Sequence, residues 1–360
     1  MAADTTIQEA TRAAFEDRTD PKWAHPVMRD QYYWDGTGFD ELMWAMLDPD
    51  KSTEEVINLR NQINELFKSS GMTLTPAQQQ IADQGTWAYH DAPGLSDGDP
   101  TIRLRVWTPK APAKSPTPTV FYIFGGGFTG GTPEMSEGSM MEMNPGADYT
   151  IVAPVFRLAP EWKYPAAIDD LEAAYRWVLG NASELGIDPD LVVLAGESSG
   201  GHMTAALSHR LKKHGMRARA QILLLPVIDD REMTLSSRLN CCMWTRELER
   251  ASLQAWLGAK YADSAVGPDA MPGHALPEDF IGLPPTYIHV MEHDHSRDDV
   301  LRYAQGLLDA GVFCELKLWA GQNHISISIL PSEIKERWDR DVREQLGDAI
   351  KYDLSRPWTE

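Results

Sequence analysis

Between residues 191 and 213 the chain reads Leu-Val-Val-Leu-Ala, then Gly196-Glu197-Ser198-Ser199-Gly200-Gly201, then a stretch of helical spacing. A serine between glycines at a strand-to-helix junction suits one kind of chemistry. The sharp turn lifts its hydroxyl clear of the sheet, and the flanking glycines let neighbouring backbone approach without a Cβ in the way. Ser198 is therefore a candidate nucleophile, against the bland reading of a glycine-rich turn. Such a serine needs donors aimed at a developing oxyanion, usually backbone amides because they are rigidly held. The run Phe121-Tyr122-Ile123-Phe124-Gly125-Gly126-Gly127-Phe128 puts three glycines directly after an apolar strand, where they weaken the strand end and expose backbone to a ligand. Neither a dinucleotide fingerprint nor a P-loop pattern is present in this loop.

The serine also needs a general base and an acid to orient that base, in the chain order Ser, Asp or Glu, His. Asp294 follows the apolar run 286–291, and His324 follows the run 315–319. Both fall at C-terminal strand ends, where an open α/β sheet places its ligand crevice. Asp298 and Asp299 compete with Asp294, but each lies on the following helix, where a surface or capping role is expected. His293 and His295 read as solvated loop residues. His-Asp-His at 293–295 lacks a third obvious ligand, so neither a metal nor any other cofactor is expected.

The scaffold that must position these residues is visible in the periodicity. Short β-rich runs at 86–90, 102–107, 119–124, 150–156, 191–195, 220–225, 286–291 and 315–319 alternate with helical stretches at 166–185, 201–213, 297–310 and 332–350. This is βαβ grammar, and unbroken apolar strands such as 191–195 predict a mostly parallel sheet covered on both faces. Two regions stand outside the pattern. Residues 1 to about 80 show no strand but place Val56, Leu59, Ile63, Leu66 and Phe67 at helical spacing, and residues 236–284 carry a helical segment at 245–261 and a Pro/Gly-rich return.

Composition removes several functional classes. With 33 Lys plus Arg against 53 Asp plus Glu, the formal charge is −20, which argues against nucleic-acid or anionic-membrane partners because phosphate binding depends on clustered cations. Cys241, Cys242 and Cys314 cannot build a disulfide framework or a zinc site. No transmembrane run and no signal-type leader is read, so a cytoplasmic location is expected and the sequon Asn181-Ala182-Ser183 should go unused.

The chain resembles the hormone-sensitive-lipase-like carboxylesterases of the α/β-hydrolase superfamily over roughly residues 85–330. The resemblance rests on the elbow at 196–201, on Phe156-Arg157-Leu158-Ala159-Pro160-Glu161 continuing to Asp169-Asp170, on Leu283-Pro284-Pro285-Thr286 leading to Asp294, and on Ala320-Gly321 leading to His324. It implies an α/β-hydrolase fold with an eight-stranded, mostly parallel sheet. It also implies a helical cap from residues 1–84 and an insertion at 236–284 after strand 6, around a core of 85–235 and 285–360. Carried over, it makes Ser198 the nucleophile, His324 the base and Asp294 its orienter, with the amides of Gly126, Gly127 and Ser199 as the oxyanion hole. Two departures stand out: Phe124 replaces the family histidine before the glycines, and Ser199 replaces the commoner alanine.

Phe128, Met135, Met140, Met141, Met143, Met243 and Trp244 are expected near an apolar, adaptable pocket, or else in the packing of cap on sheet. The expected reaction is hydrolysis of a relatively apolar small-molecule ester through an acyl-enzyme. Phe124 keeps a non-hydrolytic reaction open (dehydration, cyclisation or acyl transfer). A lactone or amide hydrolase would use the same triad, and a non-catalytic receptor is disfavoured by His324. A homodimer is left open.

Overall fold

A computed structural model describes residues 39–48, 50–69, 74–238, 244–324, 326–329 and 333–355. Its strands are β1 (Gly85–Ala92), β2 (Ile102–Pro109), β3 (Thr117–Ile123), β4 (Thr150–Val155), β5 (Ile187–Glu197), β6 (Ala220–Leu224), β7 (Thr286–Met291) and β8 (Cys314–Trp319). They form one sheet in the order β1-β2-β4-β3-β5-β6-β7-β8. The β1–β2 and β2–β4 pairs are antiparallel, and every other neighbouring pair is parallel. The eight β-rich runs of the sequence are these eight strands.

Side chains alternate faces along a strand, and the clusters record it. In β3, Phe121 and Ile123 enter one core layer while Val120 and Tyr122 enter the other; in β5, Val192 and Leu194 separate in the same way from Val193 and Ala195. Parallel pairing requires crossovers. Helices in these crossovers include α5 (Ala166–Gly180), α6 (Ala182–Leu185), α7 (Ser199–Lys213) and α10 (Arg297–Asp309); α11 (Ser326–Ile329) and α12 (Glu333–Lys351) follow β8. The expected single helix 166–185 is broken at Asn181, whose side-chain Nδ2 donates to the Trp177 carbonyl at 2.8 Å. Met140, Met141 and Met143, at and just after α4 (Glu137–Glu142), fill the layer shared by Tyr122 and the buried face of α12. They belong to this core layer, with the sheet and α12.

Before the sheet lie α1 (Phe39–Met46), α2 (Thr53–Ser69) and α3 (Pro76–Ala82); between β6 and β7 lie α8 (Arg246–Leu257) and α9 (Pro277–Phe280). Met43, Met46, Val56 and Ile63 from the first group pack with Trp244 and Leu248 from the second. The two departures from the βαβ pattern thus share a small apolar cluster of their own. Trp44 is exposed, and Trp23, Tyr32, Tyr33, Trp34, Cys241, Cys242 and Met243 lie outside the described residues. Among the described residues, no helix is long and apolar enough to cross a membrane.

Phe124 follows directly on β3 and is buried in the core. Its buried ring stacks on Phe156 at 4.4 Å, and a side chain at Gly131 would meet it at 2.8 Å. The glycine loop is therefore seated on an aromatic pair. Phe124→Ala is expected to lower unfolding stability by about 3–5 kcal/mol, since it removes a fully buried ring. Urea unfolding of the two proteins checks this, and a loss under about 1 kcal/mol would show that the site collapses around the gap.

Candidate active site

The turn at Ser198 is dictated by close backbone approach. A Cβ at Gly196 would lie 2.4 Å from the Gly200 carbonyl oxygen, and one at Gly200 would lie 2.1 Å from the Ile123 carbonyl oxygen. Only glycine fits at either position. Between them Ser198 takes φ 56 and ψ −124, a backbone state that costs a non-glycine residue about 1–3 kcal/mol and persists only when its surroundings hold it. Those surroundings are β6 and α7: the Ser198 amide donates to the Leu224 carbonyl at 2.9 Å, and the Ser198 carbonyl accepts from the His202 amide at 3.0 Å. The side chain before the elbow turns away, with Glu197 accepting from the Ser136 hydroxyl at 3.1 Å.

The loops after β7 and β8 are pinned to each other. The Glu292 amide donates to the Trp319 carbonyl at 3.0 Å, the His293 amide to the Gln322 carbonyl at 2.9 Å, and the Gly321 amide to the Glu292 carboxylate at 2.8 Å. This brings Asp294 and His324 together across 30 residues of sequence, with His324 Nδ1 at 2.6 Å from Asp294 Oδ2. His324 Nε2 lies 2.8 Å from the Ser198 hydroxyl. The other Asp294 oxygen accepts from the amide and hydroxyl of Ser296, each at 3.0 Å. Burial would raise the Asp294 carboxyl, but the charge and hydrogen bond of His324, helped by His295 and the Ser296 amide, hold it down at about 2. An ionised carboxylate only accepts, so the imidazole proton belongs on Nδ1, and Nε2 is left to accept from Ser198. The arrangement can take a proton from the serine and return it.

The glycine loop passes directly over this turn. A Cβ at Gly125 would lie 2.8 Å from the Glu197 carbonyl oxygen and 3.3 Å from Ser198 Cβ. Gly126 (φ 134) and Gly127 (φ 60) adopt backbone that side-chain-bearing residues avoid, and the Gly126 carbonyl is held by the Thr129 and Gly130 amides at 3.2 and 2.9 Å. Among the described residues neither the Gly126 nor the Gly127 amide has an acceptor. Ser199 opens α7, where an amide has no partner within its own helix. Among the described residues, these backbone amides near Ser198 have no backbone acceptor.

Residues 120–328 match the family model described as the alpha/beta hydrolase fold. The chain belongs to the alpha/beta hydrolase fold family. It is of the hormone-sensitive-lipase-like type. Carboxylesterase NlhH of Mycobacterium tuberculosis is 36% identical over 226 residues, covering 61% of this chain and 69% of that protein. Esterase LipI of the same organism is 34% identical over 213 residues, covering 58% and 66%. Among solved structures, a bacterial heroin esterase superposes with a TM-score of 0.76 at 30% identity, covering 87% of this chain and 98% of that one.

Around this family framework several side chains lie elsewhere than their spacing suggested. Phe128, expected along the pocket, belongs to the core: its ring stacks on Trp256 at 4.8 Å and meets His202 edge-on at 5.1 Å. Its φ of 64 turns the chain just after the glycines, a conformation that sequence spacing does not reveal. Trp244 packs against the loop itself, for a Cβ at Gly127 would lie 2.3 Å from its ring. His295 is buried rather than solvated, its Nε2 2.6 Å from the carboxylate of Glu249 on α8. Asp298 accepts from the Ser236 amide at 3.0 Å, and Asp299 is buried in the first turn of α10. Asp229, Asp230 and His274 bring ligand-type atoms within 4.8 Å of one another. Both carboxylates already have partners, Asp230 in a hydrogen bond with His274 Nε2 at 2.7 Å and Asp229 in an ion pair with Arg231. Arg60 and Glu249 escaped sequence reasoning. The available signal was a charged residue on the apolar face of an otherwise amphipathic helix.

Burial pushes the Asp299 carboxyl from 3.8 up to about 7, with the Asp229 and Glu249 charges adding to the shift and Thr234 and Arg302 opposing it. A carboxyl raised in the folded state stabilises fully below its unfolded value near 3.8, and that contribution is lost as pH rises through about 7. Asp299→Asn keeps the neutral form at every pH. Its Tm should therefore gain on the wild type progressively between about pH 4 and 7, and a pH-independent difference would contradict a neutral Asp299.

Proposed function

We propose that Ser198 attacks the carbonyl carbon of a relatively apolar carboxylic ester, with His324 as general base and Asp294 as the acid that orients it. The chain is a serine carboxylic ester hydrolase. The observation that carries the residue roles is the continuous hydrogen-bonded chain from the Ser198 hydroxyl through His324 to an ionised Asp294. As Ser198 Oγ bonds to the carbonyl carbon, its proton passes to His324 Nε2, and the carbonyl electrons move onto oxygen. The amides of Gly126, Gly127 and Ser199 receive that oxyanion. Collapse expels the alcohol, which leaves with the proton from His324, and Ser198 holds the acyl group. Water then attacks the acyl carbon, giving a proton to His324 Nε2, and as the tetrahedral intermediate collapses His324 returns that proton to the departing Ser198 Oγ while the carboxylic acid is released. Asp294 stays ionised throughout.

The amides need no side chain from position 124, so Phe124 is compatible with hydrolysis. Trp244 against Gly127 supports an apolar wall beside the oxyanion hole. The cluster joining α1 and α2 to Trp244 and Leu248 supports a cap made of residues 1–84 and 236–284 over a core of 85–235 and 285–360.

Short p-nitrophenyl esters test the reading. Ser198→Ala is expected to lower kcat by at least about 10³-fold, and Asp294→Asn by about 10⁴-fold through loss of the correct tautomer. A fluorophosphonate should add once to the wild type and not at all to Ser198→Ala by intact mass. Turnover by Ser198→Ala within tenfold of wild type would contradict the assignment.

A further inference from the structure

Helix α2 precedes the residues 120–328 that match the family model, yet it reaches the loop over Ser198. Arg60 and Asn64 stand one turn apart, on the side of α2 that also carries the buried Val56 and Ile63. Arg60 Nε donates to the Thr129 carbonyl at 2.6 Å. Its Nη1 donates to one Glu161 oxygen at 2.8 Å, and its Nη2 to the other at 2.6 Å and to the Ala159 carbonyl at 3.0 Å. Asn64 accepts from the Gly131 amide at 3.4 Å. Both charged side chains of the Arg60–Glu161 pair are largely buried, at 13% and 11% exposure, so the contact is a desolvated, two-pronged fork.

The pattern of these bonds is what matters. Thr129 is the residue whose amide anchors the Gly126 carbonyl, and the Ala159 amide donates to the Phe128 carbonyl at 3.0 Å. Arg60 therefore bridges the far side of the glycine loop to the turn at 158–161, which is already tied to the same loop. The loop needs such a brace. Gly126, Gly127, Phe128 and Gly131 all adopt positive φ, and glycine-rich backbone has the most conformational freedom to lose.

We propose that Arg60 is a positioning residue for the oxyanion hole: by fixing the Thr129 and Ala159 carbonyls against Glu161, it holds the Gly126 and Gly127 amides in the orientation the transition state requires. The inference rests on the oxyanion role given to those amides above. Lysine cannot replace it fully, because a single ammonium lacks the planar fork that serves two carbonyls and both oxygens of one carboxylate together. Placement of α2 thereby becomes part of the assembly of the site, although α2 supplies no group that touches the reacting atoms.

The test compares full-length wild type, Arg60→Lys and Arg60→Met, with active sites counted by fluorophosphonate labelling run to completion. kcat and KM are measured for a short p-nitrophenyl ester, together with the Ki of an aryl trifluoromethyl ketone, which forms an oxyanionic adduct with an active-site serine. Arg60→Met is expected to lower kcat per labelled site by about 10–100-fold, with KM within about threefold, and to raise Ki by a similar factor. Arg60→Lys should fall between. A purely structural role would lower the labelled fraction or Tm and leave kcat per site unchanged. Unchanged kcat per site in both variants overturns the proposal, as does a raised KM with kcat unchanged. If Arg60→Met does not fold, Arg60→Lys decides by the same readings. Failure of the underlying reading is distinct: the wild type itself would then neither label nor bind the ketone.

Discussion

Helix α7 begins with almost no space between its first turn and the end of β3, and the site depends on that contact. With Gly200 packed on the Ile123 and Phe124 carbonyls, the helix can start only where Ser198 is forced through a positive φ. The same contact brings the glycine loop, which leaves β3 one residue later, across the top of the serine. A larger residue at 200 would separate nucleophile and oxyanion donors in one step. Stiffness here comes from the sheet, since β5, β3 and β6 all end at this point and each contributes a carbonyl or an amide to the turn.

The remaining machinery is attached by electrostatics and hydrogen bonds rather than by close packing of glycine. Asp294 is buried but not isolated: His324, Ser296 and the neighbouring His295 favour its charge. Segments outside the sheet take part from both sides. Glu249 of α8 grips His295 next to the acid, and Arg60 of α2 grips Thr129 next to the glycines. Trp244, wedged on Gly127 and clustered with α1 and α2, joins these two sides through apolar contact. The covering helices are thus in direct contact with the parts of the site that hold charge.

Features governed by local pattern were legible in the sequence. The eight β-rich runs became the eight strands, most plainly β3, β6 and β7, because a strand buried on both faces leaves an unbroken apolar record. Gly196 and Gly200 could be read because no other residue survives such approach. Asp294 and His324 were legible once their strands were, as both sit at strand ends. Contacts between distant residues were less accessible. The ring of Phe128 looked available to a ligand, but its backbone turns it onto Trp256, more than a hundred residues away. His295 looked solvated because nothing in its own segment announces Glu249. The helix at 166–185 read as continuous because the break at Asn181 is a matter of geometry rather than of composition.

In this mechanism every acyl transfer passes through Ser198. p-Nitrophenyl trimethylacetate tests it most directly, because its crowded acyl group slows attack by water and lets an intermediate accumulate. Acid quenching during turnover, followed by peptide mass analysis, should find one acyl group per active site on the peptide carrying Ser198, disappearing as substrate is exhausted. Continued turnover with that peptide unmodified, or with the acyl group on another residue, would contradict the account.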